Sequence, residues 1–160
     1  MFIFFQPFFF FNDQVKQKRL AIELNRIKEN KIPIKFIKCD VWEITVVVRE
    51  GLWRNLNHIV RIYIPIKYPY QFPIVHWMTR LDPEHPNIHF DVAYDGVSNV
   101  CLNILTENGW RYDYTIMTVV ECLKWLLLTP HYHLFQSTPN MPLKEIRGKF
   151  YDTIFVVPKD

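Results

Sequence analysis

Cysteine is scarce in this 160-residue chain, which holds only Cys39, Cys101 and Cys122. Their odd number, with no CxxC or other paired spacing, argues against the disulfide framework of a small secreted domain and suits a reducing compartment. No apolar run reaches the ~18 residues that would span a bilayer. An excess of one charge is lacking too. The formal net charge is +3, and Lys and Arg are dispersed apart from one stretch near the start, so no nucleic-acid partner is expected. No P-loop, Rossmann glycine pattern or serine elbow is present. Internal repeats and low-complexity linkers are absent as well.

What remains is an ordinary globular composition, 49% apolar and 22% charged, at a length that suits one domain. The opening MFIFFQPFFFF is very apolar, but it lacks the basic region and small-residue cleavage site of a signal peptide, and Pro7 interrupts it. The expected division is an apolar N-terminal peptide over 1–12 and a single domain over 13–160. A soluble protein of the cytoplasm and/or nucleus, with no membrane partner, is the expectation.

Asn12 or Asp13 is placed to cap a helix running to about Asn30, with Leu20, Leu24 and Ile27 on its inner face. Four strand-like runs follow, Ile34 to Lys38, Trp42 to Arg49, His58 to Ile66 and Ile74 to Met78. Short links between them predict an antiparallel meander. From Leu81 to Gly109, prolines and Asx-Gly pairs predict a long irregular loop. Thr115 to Leu128 reads as a buried helix, capped at Thr115 or Thr118. Beyond Pro139 and Pro142, a short helical segment is expected from about Lys144 to Thr153. The sum is an α+β domain.

One ordered series stands out: YPYQFP at Tyr68 to Pro73, HPNI at His85 to Ile88, NVCLNIL at Asn99 to Leu105, then Trp110 and the start of the buried helix. Alone, HPN is a weak tripeptide. A cysteine flanked by Val100 and Leu102 is ordinarily buried and inert, and an asparagine after proline is ordinarily a turn residue. Together and in this order, the segments resemble the ubiquitin-conjugating enzyme family from about Val15 to Thr153.

The resemblance implies a transferase that takes a ubiquitin-like modifier from an activating enzyme as a thioester and passes it to a target lysine. Cys101 occupies the position of the family's active-site cysteine. A thiolate is a good nucleophile and a good leaving group, so a thioester divides one hard step into two easier ones. Asn87 takes the role of an amide donor to the developing oxyanion, where removing such a donor typically costs ~3 kcal/mol, or of holding the loop over the thioester. His85, placed with the catalytic group, hydrogen-bonds within the turn that Pro86 stiffens. No cofactor is implied. His85, His89, His131 and His133 lack paired cysteines or a carboxylate at ligand spacing, so no metal is expected.

NVCLNIL is most similar to the neddylation branch, whose modifier is attached to cullins; ubiquitin-type members more often carry an acidic residue at the position of Asn103. A ubiquitin-specific enzyme, or a conjugating-enzyme-like interaction module of weak activity, are the alternatives. The resemblance assigns activating-enzyme binding to the basic face of the first helix, with Lys16, Lys18 and Arg19. A ring-type ligase is expected at the same end and on the loops of Tyr70, Phe72, Tyr112 and Asp113. The apolar opening peptide would dock on the activating enzyme and on a cullin-ligase cofactor. In sequence pattern alone, the three basic residues read as a solvated helix face.

Two departures from the family pattern bear on lysine transfer. The interval from His85 to Cys101 is long, with extra chain within His89 to Ser98. Pro142-Leu143 follows Met141 where the family usually has an acidic residue, after an insertion at roughly His131 to Ser137.

Overall fold

The computed structural model describes residues 7–90 and 98–129. Helix α1 spans Pro7–Glu29, followed by β1 (Ile34–Lys38), β2 (Val41–Val46), β3 (His58–Tyr63), β4 (Ile74–Trp77), β5 (Ile88–Phe90), β6 (Ser98–Val100), a 3-10 turn (Asn103–Leu105) and α2 (Ile116–Leu128). The sheet has six strands in the order β1-β2-β3-β4-β6-β5, with every neighbouring pair antiparallel. The four-strand expectation therefore holds for the meander and is extended by two short strands. These strands lie where one long irregular loop was expected. The C-terminal segment around Lys144 to Thr153 lies outside the described residues, as do Met141 and His131 to Ser137.

Strand register explains the core. In β2, β3 and β4 the inward positions pair across the sheet: Trp42 faces Ile62 and Ile62 faces Val75, while Ile44 faces Val60 and Val60 faces Trp77. All are buried, and the residues between them lie at least partly open, as the two-residue period of a strand requires. Nearly the whole of α2 is buried too, including Ile116, Val119, Val120, Leu123 and Leu126. It starts at a capping box in which Thr115 Oγ1 accepts from the Thr118 backbone N–H, and Thr118 Oγ1 accepts from that of Thr115.

Helix α1 already includes Pro7, so it is not capped at Asn12 or Asp13. Residues 7–12 of the apolar opening thus belong to the helix, while residues 1–6 lie outside the described part. Leu20, Glu23 and Ile27 form the buried stripe of α1 at helical spacing, with Leu24 half-buried beside it. Among the described residues, no helix is long and apolar enough to cross a membrane.

Candidate active site

The His85-Pro86-Asn87 turn enters β5 and is pinned on three sides. Asn87 donates its backbone N–H to His85 Nδ1 at 3.0 Å. That leaves the imidazole proton on Nε2, which lies 2.9 Å from the Leu126 carbonyl in the last turn of α2. The His85 ring also lies 4.7 Å from that of Trp53, whose Nε1 donates to the Pro83 carbonyl at 2.7 Å. His85 and Asn87 are both buried. The expectation that His85 bonds within the turn agrees with this geometry, and the anchor on α2 is an addition that no local pattern indicates.

Cys101 follows β6 directly. Its backbone N–H donates to the Asn87 carbonyl at 2.8 Å, so the cysteine and the asparagine sit side by side although the long interval separates them in sequence. Strands β5 and β6 close that interval as an antiparallel pair, Ile88 against Val100 and Phe90 against Ser98. The ladder accounts for residues 88–90 and 98–100 of this interval, and residues 91–97 fall outside the described part. Cys101 is half-buried, and burial pushes its thiol above the ordinary cysteine value. Cys122 is buried on α2, where burial and the nearby Glu121 charge push its thiol far higher. Cys39 is exposed at the end of β1.

After Cys101 the chain turns sharply. The Asn103 carbonyl accepts from Thr106 Oγ1 at 2.7 Å, and Thr106 Oγ1 accepts from the Gly109 N–H at 3.1 Å. A Cβ at Gly109 would collide with the Asn103 carbonyl oxygen, so this closure requires glycine. Asn103 Oδ1 is buried with no hydrogen-bond partner.

The surface expected to meet partners lies at the other end of α2. The exposed rings of Tyr70 and Tyr112 come within 6.4 Å of each other, and Phe72 is half-buried nearby in sequence. Trp110 Nε1 ties the two loops together by donating to the Pro69 carbonyl at 2.7 Å. Asp113 is engaged by Arg111 through two bonds of 3.1 Å.

The basic face of α1 requires correction. Of Lys16, Lys18 and Arg19, only Lys18 is exposed. Lys16 turns inward to Asp40 at 2.8 Å, and Arg19 is 5% exposed, bonded to Glu23 at 2.6 Å and to the Tyr114 carbonyl at 2.8 Å. Their place on the helix explains this. Lys16 and Arg19 flank the Leu20–Glu23–Ile27 stripe, where residue type alone suggested solvent.

Glu23 was not singled out from the sequence, yet it is fully buried. It accepts from Arg19, from the Tyr68 hydroxyl at 2.7 and 2.9 Å, and from the Ile116 N–H at 2.8 Å. Burial pushes its carboxyl above the ordinary range, opposed by the Arg19 charge and the donated bonds. Burial also raises the Tyr68 hydroxyl, with Glu23 beside it. The signal in the sequence is the four-residue spacing of Arg19 and Glu23, with Glu23 three after Leu20 and four before Ile27. Among the described residues, no group of three or more His, Cys, Asp or Glu side chains is placed to hold a metal ion.

Comparison with known proteins gives the following. A family model described as ubiquitin-conjugating enzyme matches residues 14–144. The chain is 34% identical over 112 residues to an Arabidopsis thaliana protein described as "Probable NEDD8-conjugating enzyme Ubc12-like", a match covering 69% of this chain and 56% of that protein. It thus spans little more than half the length of that relative. It is 25% identical over 123 residues to the "Probable ubiquitin-conjugating enzyme E2 L460" of Acanthamoeba polyphaga mimivirus, covering 71% of this chain and 73% of the other. Among solved structures, the E2 domain of a Toxoplasma gondii ubiquitin conjugating enzyme superposes with a TM-score of 0.63 at 21% identity, over 85% of this chain and 88% of that one.

Proposed function

The chain belongs to the ubiquitin-conjugating enzyme family, and from that premise we propose that Cys101 receives a ubiquitin-like modifier as a thioester and passes it to a lysine, with the cullin modifier as its cargo. The observation that carries this reading is the 2.8 Å bond from the Cys101 N–H to the Asn87 carbonyl, which sets Cys101 next to the His85-Pro86-Asn87 turn.

In the first step, the Cys101 thiolate attacks the modifier's carbonyl on the activating enzyme's cysteine, and that cysteine leaves as a thiolate. In the second, a lysine amine attacks the new thioester, the Cys101 thiolate leaves, and the amine loses a proton as the isopeptide bond forms. The raised thiol has opposite effects on the two steps. It leaves less thiolate at neutral pH to accept the modifier. It also makes Cys101 a slower leaving group, so the loaded thioester resists stray attack. Asn87 stabilises the oxyanion of either tetrahedral intermediate, its backbone held on one side by His85 and on the other by Cys101.

The neddylation reading is supported by NVCLNIL and by the Arabidopsis relative, which is described as NEDD8-conjugating. The mimivirus relative, of which the chain covers more, favours ubiquitin as the second reading. Activating enzyme, ring-type ligase and cullin are the partners this function calls for. Incubation with ATP and matched activating enzyme–modifier pairs separates the readings. An adduct that reductant releases is expected with the cullin modifier; one formed with ubiquitin alone favours the second reading, and none with either modifier contradicts both.

A further inference from the structure

Arg19 and Glu23 spend their polar groups on the two segments that carry the exposed tyrosines. Tyr68, two residues before Tyr70, donates its hydroxyl to Glu23. Tyr114, two residues after Tyr112, accepts from Arg19 Nη2 at 2.8 Å. Glu23 also receives the Ile116 N–H at the start of α2. The surface these bonds support is open: Tyr70 is 53% exposed and Tyr112 54%, whereas Arg19 and Glu23 are out of a partner's reach.

A buried ion pair is a weak source of stability, because the loss of hydration offsets much of the attraction. What such a pair supplies is direction. Three directed bonds to two side chains of one helix, the Tyr68 hydroxyl sharing its proton between both Glu23 oxygens, fix two loops against each other. Resting on the conjugating-enzyme reading above, we infer that Arg19 and Glu23 are positioning residues that hold Tyr70 and Tyr112 as one docking surface for the ring-type ligase, acting through Tyr68 and Tyr114 without touching that partner.

The test is a double-mutant cycle in the full chain. The Kd for the isolated ring domain of a cullin-associated ligase is measured for wild type, Glu23→Gln, Tyr70→Ala and the double variant. The discharge rate of the charged protein to free lysine is followed against ring concentration. Each single variant is expected to weaken binding about tenfold, and the double variant no more than about twofold beyond Tyr70→Ala, since both act on one surface. For Glu23→Gln, the ring concentration giving half-maximal discharge rises about tenfold, and the rate at saturating ring returns to that of wild type.

Wild-type binding by Glu23→Gln overturns the inference. So does a double variant whose loss is the product of the single losses, or wild-type binding by Tyr70→Ala. Should thermal melting show Glu23→Gln unfolded, Tyr68→Phe, which removes only the hydroxyl, takes its place in the same cycle with an expected loss of about threefold. The binding cycle needs no thioester. A wild type that is never charged therefore counts against the conjugating reading alone, and the cycle is scored separately.

Discussion

At its N-terminal end α2 is held by a buried charged cluster, with the Glu23 carboxyl on the Ile116 N–H and Arg19 against Glu23. At its C-terminal end it is held by a neutral turn, with His85 Nε2 on the Leu126 carbonyl. The two anchors are roughly 15 Å apart along the helix, at 1.5 Å per residue. Both suit the helix dipole, an anion-bearing group at the start and a donor at the end. The difference lies in what each end has to do. Near Cys101 the described residues offer backbone and amide dipoles, and burial raises the thiol. At the proposed docking end, two loops that share no strand are joined by directed bonds to charged groups.

The largest effect that would sharpen this contrast is at the sulfur. Cys101→Ser is expected to abolish the reductant-sensitive adduct and to leave at most an oxygen ester that reductant does not release, while Cys39→Ser charges normally; denaturing gels with and without reductant read both. Next comes Asn87→Ala, for which single-turnover discharge to free lysine should fall by about 10²- to 10³-fold with the fold retained. A discharge rate within about twofold of wild type would show that Asn87 donates nothing to the oxyanion.

His85→Ala should act on stability first. It leaves the Leu126 carbonyl and the Asn87 N–H without their partner, and denaturant unfolding should show a loss of about 2 to 4 kcal/mol. The smallest effect concerns pH. Because burial raises the Cys101 thiol, its thiolate fraction at neutral pH is reduced, and its alkylation rate should still be climbing above pH 9. An inflection below the ordinary cysteine value would mean that a cation serves the reacting end as well, and would erase the contrast between the two ends.

How far the sequence alone predicts these ends differs in the same way. The proposed reacting end rests on local patterns, HPN, the cysteine within NVCLNIL and the apolar run of α2, and α2 and β1 begin and end close to where the sequence places them. Strands β5 and β6 were hidden because three residues are too few for an alternation to register. The docking end is misleading in sequence. Lys16 and Arg19 suggest solvent by residue type, and only their place beside Leu20, Glu23 and Ile27 turns them inward. The Tyr68–Glu23 and His85–Leu126 bonds join residues 45 and 41 positions apart, which no local period reports.

The central claim is that Cys101, beside Asn87, carries the modifier, and intact-protein mass spectrometry after charging tests it most directly. One modifier mass should be added, lost on treatment with reductant, and mapped by peptide analysis to Cys101. A modifier found on Cys39, Cys122 or a lysine, with Cys101 unmodified, would contradict the account.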